Sequence, residues 1–203
     1  MGKCVIFCAG EFSSLEEGLS EGDHVIAADG GARHLQALGI PADTVLGDFD
    51  SLGYVPRGAK VFPVEKDDTD SMLAIRHGLA LGYREFVLYG SLDGPRLEHT
   101  VANFQALRFL CDRGAGGTLV GLRQKATAVK NGSLVFPAGM RGYVSVFCMG
   151  PDAEGVSLRG LKYEMENGNL SGSFPLGCSN QFTGREASVT VEKGCLLVIW
   201  DRE

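Results

Sequence analysis

"HVIAADGGARHLQALGI", residues 24–40, reads as a strand, a turn and a helix in immediate succession. The first five residues form a short apolar run of the kind a strand buried on both faces needs. Asp29-Gly30-Gly31 interrupts that run. The residues after it set Leu35 and Leu38 at helical spacing, and Gly39 followed by Pro41 supplies the stop. A strand leading through glycines into a helix is half of a parallel crossover unit.

The same alternation extends outward on both sides. "CVIFCAG" (4–10) precedes it as a first strand. "TVLGDFDS" (44–51), "AKVFPVEK" (59–66), "EFVLYGS" (85–91) and "GTLVGL" (117–122) follow as further strands. Between them, "DTDSMLAIRHGLALGY" (68–83) is expected as a helix with Met72, Leu73, Ile75, Leu79 and Ala80 toward the core. "RLEHTVANFQALRFLCDRG" (96–114) is a second amphipathic helix, closed by Gly114. Strands alternating with helices imply an open, mostly parallel α/β sheet with right-handed crossovers.

Beyond Arg123 the texture changes. "KATAVKNGSLVFPAGMRGYVSVFCMG" (125–150) mixes short β-rich runs with glycines, a proline and an Asn131-Gly132 turn signal, and no helical pattern follows. The expected fold class is therefore α/β + β. Residues 1–124 form an open α/β domain and residues 125–203 an all-β sandwich.

Composition narrows the function classes. The chain has 203 residues, 44% hydrophobic and 22% charged, with a formal net charge of −6, so no basic surface is set aside for a nucleic-acid backbone. Its apolar runs fall well short of the ~20 residues of a membrane helix. The N-terminus reads as a strand rather than a signal peptide. Six cysteines without a C-x-x-C pair read as reduced, mostly buried thiols of a cytoplasmic protein.

The polar residues cluster at the carboxyl ends of the strands, where open α/β sheets bind ligands. Asp29-Gly30-Gly31 follows one strand, Gly47 through Ser51 the next, Lys66 through Asp70 a third, and Ser91 through His99 a fourth. In an extended segment Asp48 and Asp50 point to one side, about 6.5–7 Å apart at Cα. With Asp70 the edge holds three acids, and two carboxylates ~4 Å apart repel by roughly 4 kcal/mol at an effective dielectric of 20. A divalent cation resolves that repulsion, and oxygen-only ligands favour Mg²⁺ held against substrate phosphates. Each acid taken alone has a simpler use as a turn or cap, and Asp68 or Thr69 is expected to cap the following helix. Gly30 and Gly31 admit either a phosphate beside their backbone N–H groups or a tight turn. Arg96 is a phosphate clamp or a surface charge, and His99 a substrate contact or a packing residue. His24, His34 and His77 have no assigned partner.

Taken in order, "ADGGARHL", "GDFDS", "KDDTDSMLA", "GSLDGPRLEHTVAN", "GLKYEMENGNLSGS", "GCSNQF" and "GCLLVI" resemble the thiamine pyrophosphokinase family in its bacterial form, over nearly the whole chain. The resemblance implies transfer of a diphosphate from ATP to the hydroxyl of thiamine, with Mg²⁺ as cofactor. It also implies a homodimer; the absence of a nucleic-acid or membrane partner is expected from composition. It assigns Asp48, Asp50 and Asp70 to the metal and catalysis. Asp29, Gly30, Gly31, Lys66, Thr69, Ser91 and Arg96 go to the nucleotide side, and Glu98, His99, Ser179 and Asn180 to thiamine. Asp93, Pro95, Glu98 and Gln181 depart from the family pattern. A diphosphokinase for a hydroxymethylpterin, a Mg²⁺-dependent phosphohydrolase and a non-catalytic binding protein are the alternatives.

Overall fold

The computed structural model describes residues 2–202 apart from 17, 51, 64 and 66. The chain divides into two compact units, Met1–Leu122 and Arg123–Glu203.

Among the described residues, the first unit is built on six parallel strands: β1 (Cys4–Phe7), β2 (His24–Ala28), β3 (Thr44–Gly47), β4 (Lys60–Val61), β5 (Glu85–Tyr89) and β6 (Gly116–Val120). Their order is β6-β5-β1-β2-β3-β4. The register Val45–Ala27–Phe7–Tyr89–Val120 runs straight across the sheet. These five side chains share one face, and they pack with Leu35 of α1 (Ala32–Leu38). The next row, Thr44–Ile26–Ile6–Leu88–Leu119, lies on the opposite face because side chains alternate along a strand. That face receives α2 (Asp70–Ala80) and α3 (Leu97–Cys111). Helices on both faces explain why the strands read as continuous apolar runs.

Two sequence expectations need adjustment here. The fourth strand is only Lys60–Val61, and both residues are exposed, because this edge has a neighbour on one side only. The buried stripe of α2 is Ala74, Ile75 and Gly78, while Met72, Leu73 and Leu79 are half-buried and Ala80 is exposed. Small residues face the sheet because the helix sits close to it: a Cβ at Gly78 would lie 2.6 Å from the Cys4 sulfur. In α3 the buried set is Asn103, Ala106, Leu107 and Leu110.

The second unit is antiparallel: β7 (Gln124–Phe136), β8 (Tyr143–Cys148), β9 (Asp152–Arg159), β10 (Met165–Ser171), β11 (Gly177–Gln181) and β12 (Ala187–Asp201). β12 pairs with β7 over nearly its whole length. Its first half also pairs with β9, which carries β10, and its second half with β8, which carries β11. The two leaves enclose an apolar core that includes Val144, Val156, Val189, Leu196 and Trp200. The Asn131-Gly132 signal makes no hairpin. Asn131 takes a left-handed φ of 47° inside β7, where the ladder slips between Val191 and Cys195, and its Oδ1 accepts the Gly194 N–H at 2.9 Å. It is a bulge at the point where β12 exchanges β9 for β8.

Candidate active site

The candidate site lies at the carboxyl ends of β2 and β3. Asp29 opens a single 3-10 turn, Asp29–Gly31, between β2 and α1, with φ at 48° and the side chain buried. Gly31 is indispensable to that turn, since a Cβ there would stand 1.9 Å from the Phe7 carbonyl oxygen. The glycine is thus used to bring the turn against β1. Gly47, at the end of β3, leaves room in the same way: a Cβ there would meet the Asp29 backbone and Cβ at 3.0 Å. Two strand ends are thereby pressed together with an acid on each.

The acidic turn after β3 is not extended. Phe49 has φ at 60° and is almost fully buried, and the Asp50 N–H donates to Asp48 Oδ1 at 3.3 Å. Asp48 and Asp50 are brought together by a turn pinned on Phe49, not by the pleat of a strand. The result is a group of three: Asp29, Asp48 and Asp50 offer carboxylate oxygens all within 4.8 Å of one another. The set grades from buried Asp29 through half-buried Asp48 to exposed Asp50, so it opens outward. An all-oxygen donor set of this size suits a hard divalent cation.

Asp70 stands apart from this group of three. It is the first residue of α2, its Oδ1 is a buried atom, and its charge is felt by Cys8 just past the end of β1. Burial first, then Asp70, pushes the Cys8 thiol up to about 12, which leaves it an inert neighbour.

Beside Asp70, at the start of α2, a chain of hydrogen bonds begins at the expected cap and runs on to residues that the sequence did not single out. Thr69 caps α2, its Oγ1 accepting the Met72 N–H at 3.2 Å and lying 3.0 Å from Ser71 Oγ. Ser71 Oγ donates to Asn103 Oδ1 at 2.8 Å. Asn103 Nδ2 donates to the Ser91 carbonyl at 2.7 Å, and Ser91 Oγ turns inward to the Leu88 carbonyl at 2.7 Å. The network locks the first turn of α2 to α3 and to the end of β5. Asn103 lay hidden in an apolar helical stripe, and its burial is the signal that marks it.

The segment before α3 is open. Arg96, Glu98 and His99 are exposed, and Arg96 Nε donates to Glu98 Oε1 at 2.8 Å. That bond holds the Glu98 carboxyl below the usual carboxylate range. The departure at Asp93 has a structural use: its Oδ2 accepts the Leu122 N–H, and Gly121 leaves the space its carboxylate occupies. Lys66 lies outside the described residues.

In the second unit, Ser179 is exposed with φ at 60°, and its N–H donates to Ser145 Oγ at 3.0 Å. Asn180 is buried. Its Oδ1 accepts the N–H groups of Tyr163 and Gln181, both at 2.9 Å, and its Nδ2 donates to the Tyr163 carbonyl at 2.6 Å. The amide is spent on backbone within its own unit. The histidines without assigned partners also have them: His34 Nε2 lies 2.8 Å from the Gly10 carbonyl oxygen, and His24 and His77 meet at Thr44 Oγ1.

A family model described as the catalytic domain of thiamin pyrophosphokinase matches residues 15–114. A second, described as the vitamin B1 binding domain of thiamin pyrophosphokinase, matches residues 133–196. Thiamine pyrophosphokinase of Bacillus subtilis (strain 168) is 25% identical over 190 residues, 86% of this chain and 85% of that one. The fold is similar to the crystal structure of thiamine pyrophosphokinase from Bacillus subtilis, with a TM-score of 0.87 at 22% identity over 99% of each chain. It is similar also to thiamin pyrophosphokinase from Candida albicans, with a TM-score of 0.78 at 14% identity over 99% of this chain and 89% of that one. Those two structures speak for the fold; with both family models matched in order along one sequence, the chain belongs to the thiamine pyrophosphokinase family, enzymes that transfer a diphosphate from ATP to thiamine.

Proposed function

We propose that Asp29, Asp48 and Asp50 hold a Mg²⁺ ion against the triphosphate of ATP while the thiamine hydroxyl attacks the β-phosphorus and AMP departs. The observation that carries this reading is the approach of three carboxylates from two strand ends to within 4.8 Å. Uncompensated, each pair at about 4 Å would repel by roughly 4 kcal/mol at an effective dielectric of 20. A bound Mg²⁺ supplies neutralisation of the phosphate charge and of the charge that develops during transfer.

The chain's own groups do the positioning. Asp29 is fixed by its buried turn, and Asp48 and Asp50 by the Phe49 pin. Asp70 would serve the same edge from the α2 side, where its buried Oδ1 adds negative charge. Arg96 exchanges Glu98 for a phosphate oxygen when nucleotide binds, since a guanidinium favours the more highly charged acceptor. Lys66 belongs to the phosphate side as well. Thr69, Ser91, Gly30 and Gly31 act as positioning residues, because their polar groups or their close approach serve the local fold. Glu98, His99 and Ser179 meet thiamine, and Asn180 shapes the segment that Ser179 belongs to. Residues 1–124 thus bind nucleotide and also supply Glu98 and His99 for thiamine, and residues 125–203 bind thiamine and pair two subunits. Exposed Phe174 and Leu176 supply apolar surface for that pairing. Six cysteines without a C-x-x-C pair support a cytoplasmic location, and among the described residues no helix is long and apolar enough to cross a membrane.

The test is thiamine-dependent formation of AMP from ATP. Asp48→Asn and Asp50→Asn are each expected to cut turnover by well over tenfold with the fold intact by circular dichroism. Full turnover in both variants would remove these acids from the reaction.

A further inference from the structure

Arg96, Glu98 and His99 lie on a span, residues 94–99, that is exposed throughout. The span begins with Gly94 and Pro95. It is anchored at both ends. At the far end Thr100 Oγ1 donates to the Leu92 carbonyl at 2.9 Å. At the near end the carbonyls of Ser91, Leu92 and Asp93 are taken in turn. Asn103 Nδ2 donates to the first at 2.7 Å, Thr100 to the second, and the Glu11 N–H to the third at 2.6 Å.

Asp93 is the last half-buried residue before the span. Its backbone carbonyl holds the loop after β1, and its carboxylate turns the other way. There Oδ2 accepts the N–H of Leu122, two residues beyond the end of β6. Gly121 makes room for that bond, since a Cβ there would collide with the same oxygen and would stand 2.9 Å from Leu92 Cβ. Asp93 therefore ties the segment after β5 to the chain ends on both neighbouring strands, β1 and β6. An exposed stretch that contains a glycine has many conformations open to it. Fixing the point where it starts removes most of them before any ligand arrives.

We infer that Asp93 is a positioning residue for both substrates. Its carboxylate, through the Leu122 N–H, fixes the start of the span that holds Arg96 against phosphate and Glu98 and His99 against thiamine. Asp93 itself touches neither substrate. The inference rests on the reading of Arg96, Glu98 and His99 as substrate-facing. Losing the anchor lowers the fraction of molecules whose span is ready to bind, which raises the apparent dissociation constant of each ligand in proportion. Saturating substrate recovers the ordered span, so turnover at saturation changes little.

The experiment compares wild type with three variants. Asp93→Ala removes the acceptor, Asp93→Asn keeps an acceptor oxygen without the charge, and Gly121→Ala puts a methyl group where the carboxylate lies. KM for ATP, KM for thiamine and kcat are read from thiamine-dependent AMP formation, with folding checked by thermal melting. Asp93→Ala and Gly121→Ala are expected to raise both KM values fivefold or more with kcat lowered less than threefold, and Asp93→Asn to stay within twofold of wild type. On an Arg96→Ala background, Asp93→Ala is expected to add less than twofold to KM for ATP, because the anchor acts through that side chain. Should Asp93→Ala fail to fold, Gly121→Ala and Asp93→Asn carry the comparison. Both KM values within twofold of wild type in Asp93→Ala and Gly121→Ala overturn the inference. So does an equal loss in Asp93→Asn and Asp93→Ala, which would make the charge the cause, or a further fivefold loss on the Arg96→Ala background. Arg96→Ala and His99→Ala test the reading beneath it. If they leave both KM values at wild type, the span does not face substrate and the inference falls with that reading. If they raise them while Asp93→Ala does not, the inference alone falls.

Discussion

Phe49 makes the acidic turn by accepting a backbone conformation that costs a non-glycine residue of order 1–3 kcal/mol. Burying its ring offsets that cost by about 1.5–3 kcal/mol. The same residue-scale logic separates structural from functional polar groups elsewhere. Asn180 makes three hydrogen bonds to backbone, and deleting its amide leaves buried partners unsatisfied. Asn180→Ala is therefore expected to lower stability by about 2–3 kcal/mol in urea titration, while KM for thiamine moves only to the extent that Ser179 is displaced. A large rise in that KM at unchanged stability would make Asn180 a direct substrate contact. That acids follow several strand ends was legible in the sequence, because each apolar run there gives way to a polar turn. Their partners were not. The sequence pattern grouped Asp48 with Asp50 through an assumed extended strand, whereas a left-handed Phe49 draws them together. Asp29 stands closer to them than its place in another strand-turn-helix segment indicated.

Among the elements, α2 shows what periodicity can and cannot tell. Its start was legible, and Thr69 caps it. Its buried stripe was legible only at Ile75, because Ala74 and Gly78 face the sheet at a distance that excludes larger side chains. Thr69→Ala is expected to cost about 1 kcal/mol, and to reduce turnover as the first turn of α2 loosens, with Thr69→Ser restoring both. The far end of α2 carries a different device. His77 Nε2 lies 3.3 Å from both Thr44 Oγ1 and Lys60 Nζ, and His24 reaches the same hydroxyl at 3.1 Å. Burial, then Lys60, then His24 lower the His77 pKa. The neutral ring is thus favoured in the folded state, and the unfolded chain binds the proton more readily. The stability this contributes is present above the ordinary histidine value and is lost as pH falls from there through the lowered folded value. Urea midpoints between pH 7.5 and 5 are expected to decline less steeply in His77→Gln than in wild type. Parallel declines would show that His77 does not contribute.

At the scale of the whole molecule, the α/β and β halves were legible because their local grammars differ. One alternates strand with helix at the spacing of crossover units, and the other has glycine-punctuated strands throughout. The path of β12 was hidden, since a strand that serves both leaves of a sandwich looks no different from two strands in sequence. The proposed function rests on distant segments meeting: β2 and β3 each deliver acid to one point. The most direct measurement is binding of Mn²⁺, as a paramagnetic stand-in for Mg²⁺, followed by electron paramagnetic resonance in the presence of ATP. Asp29→Asn, Asp48→Asn and Asp50→Asn are each expected to weaken Mn²⁺ binding by more than tenfold, and Asp70→Asn by clearly less. Wild-type affinity in all three, with thiamine-dependent turnover intact, would contradict the account.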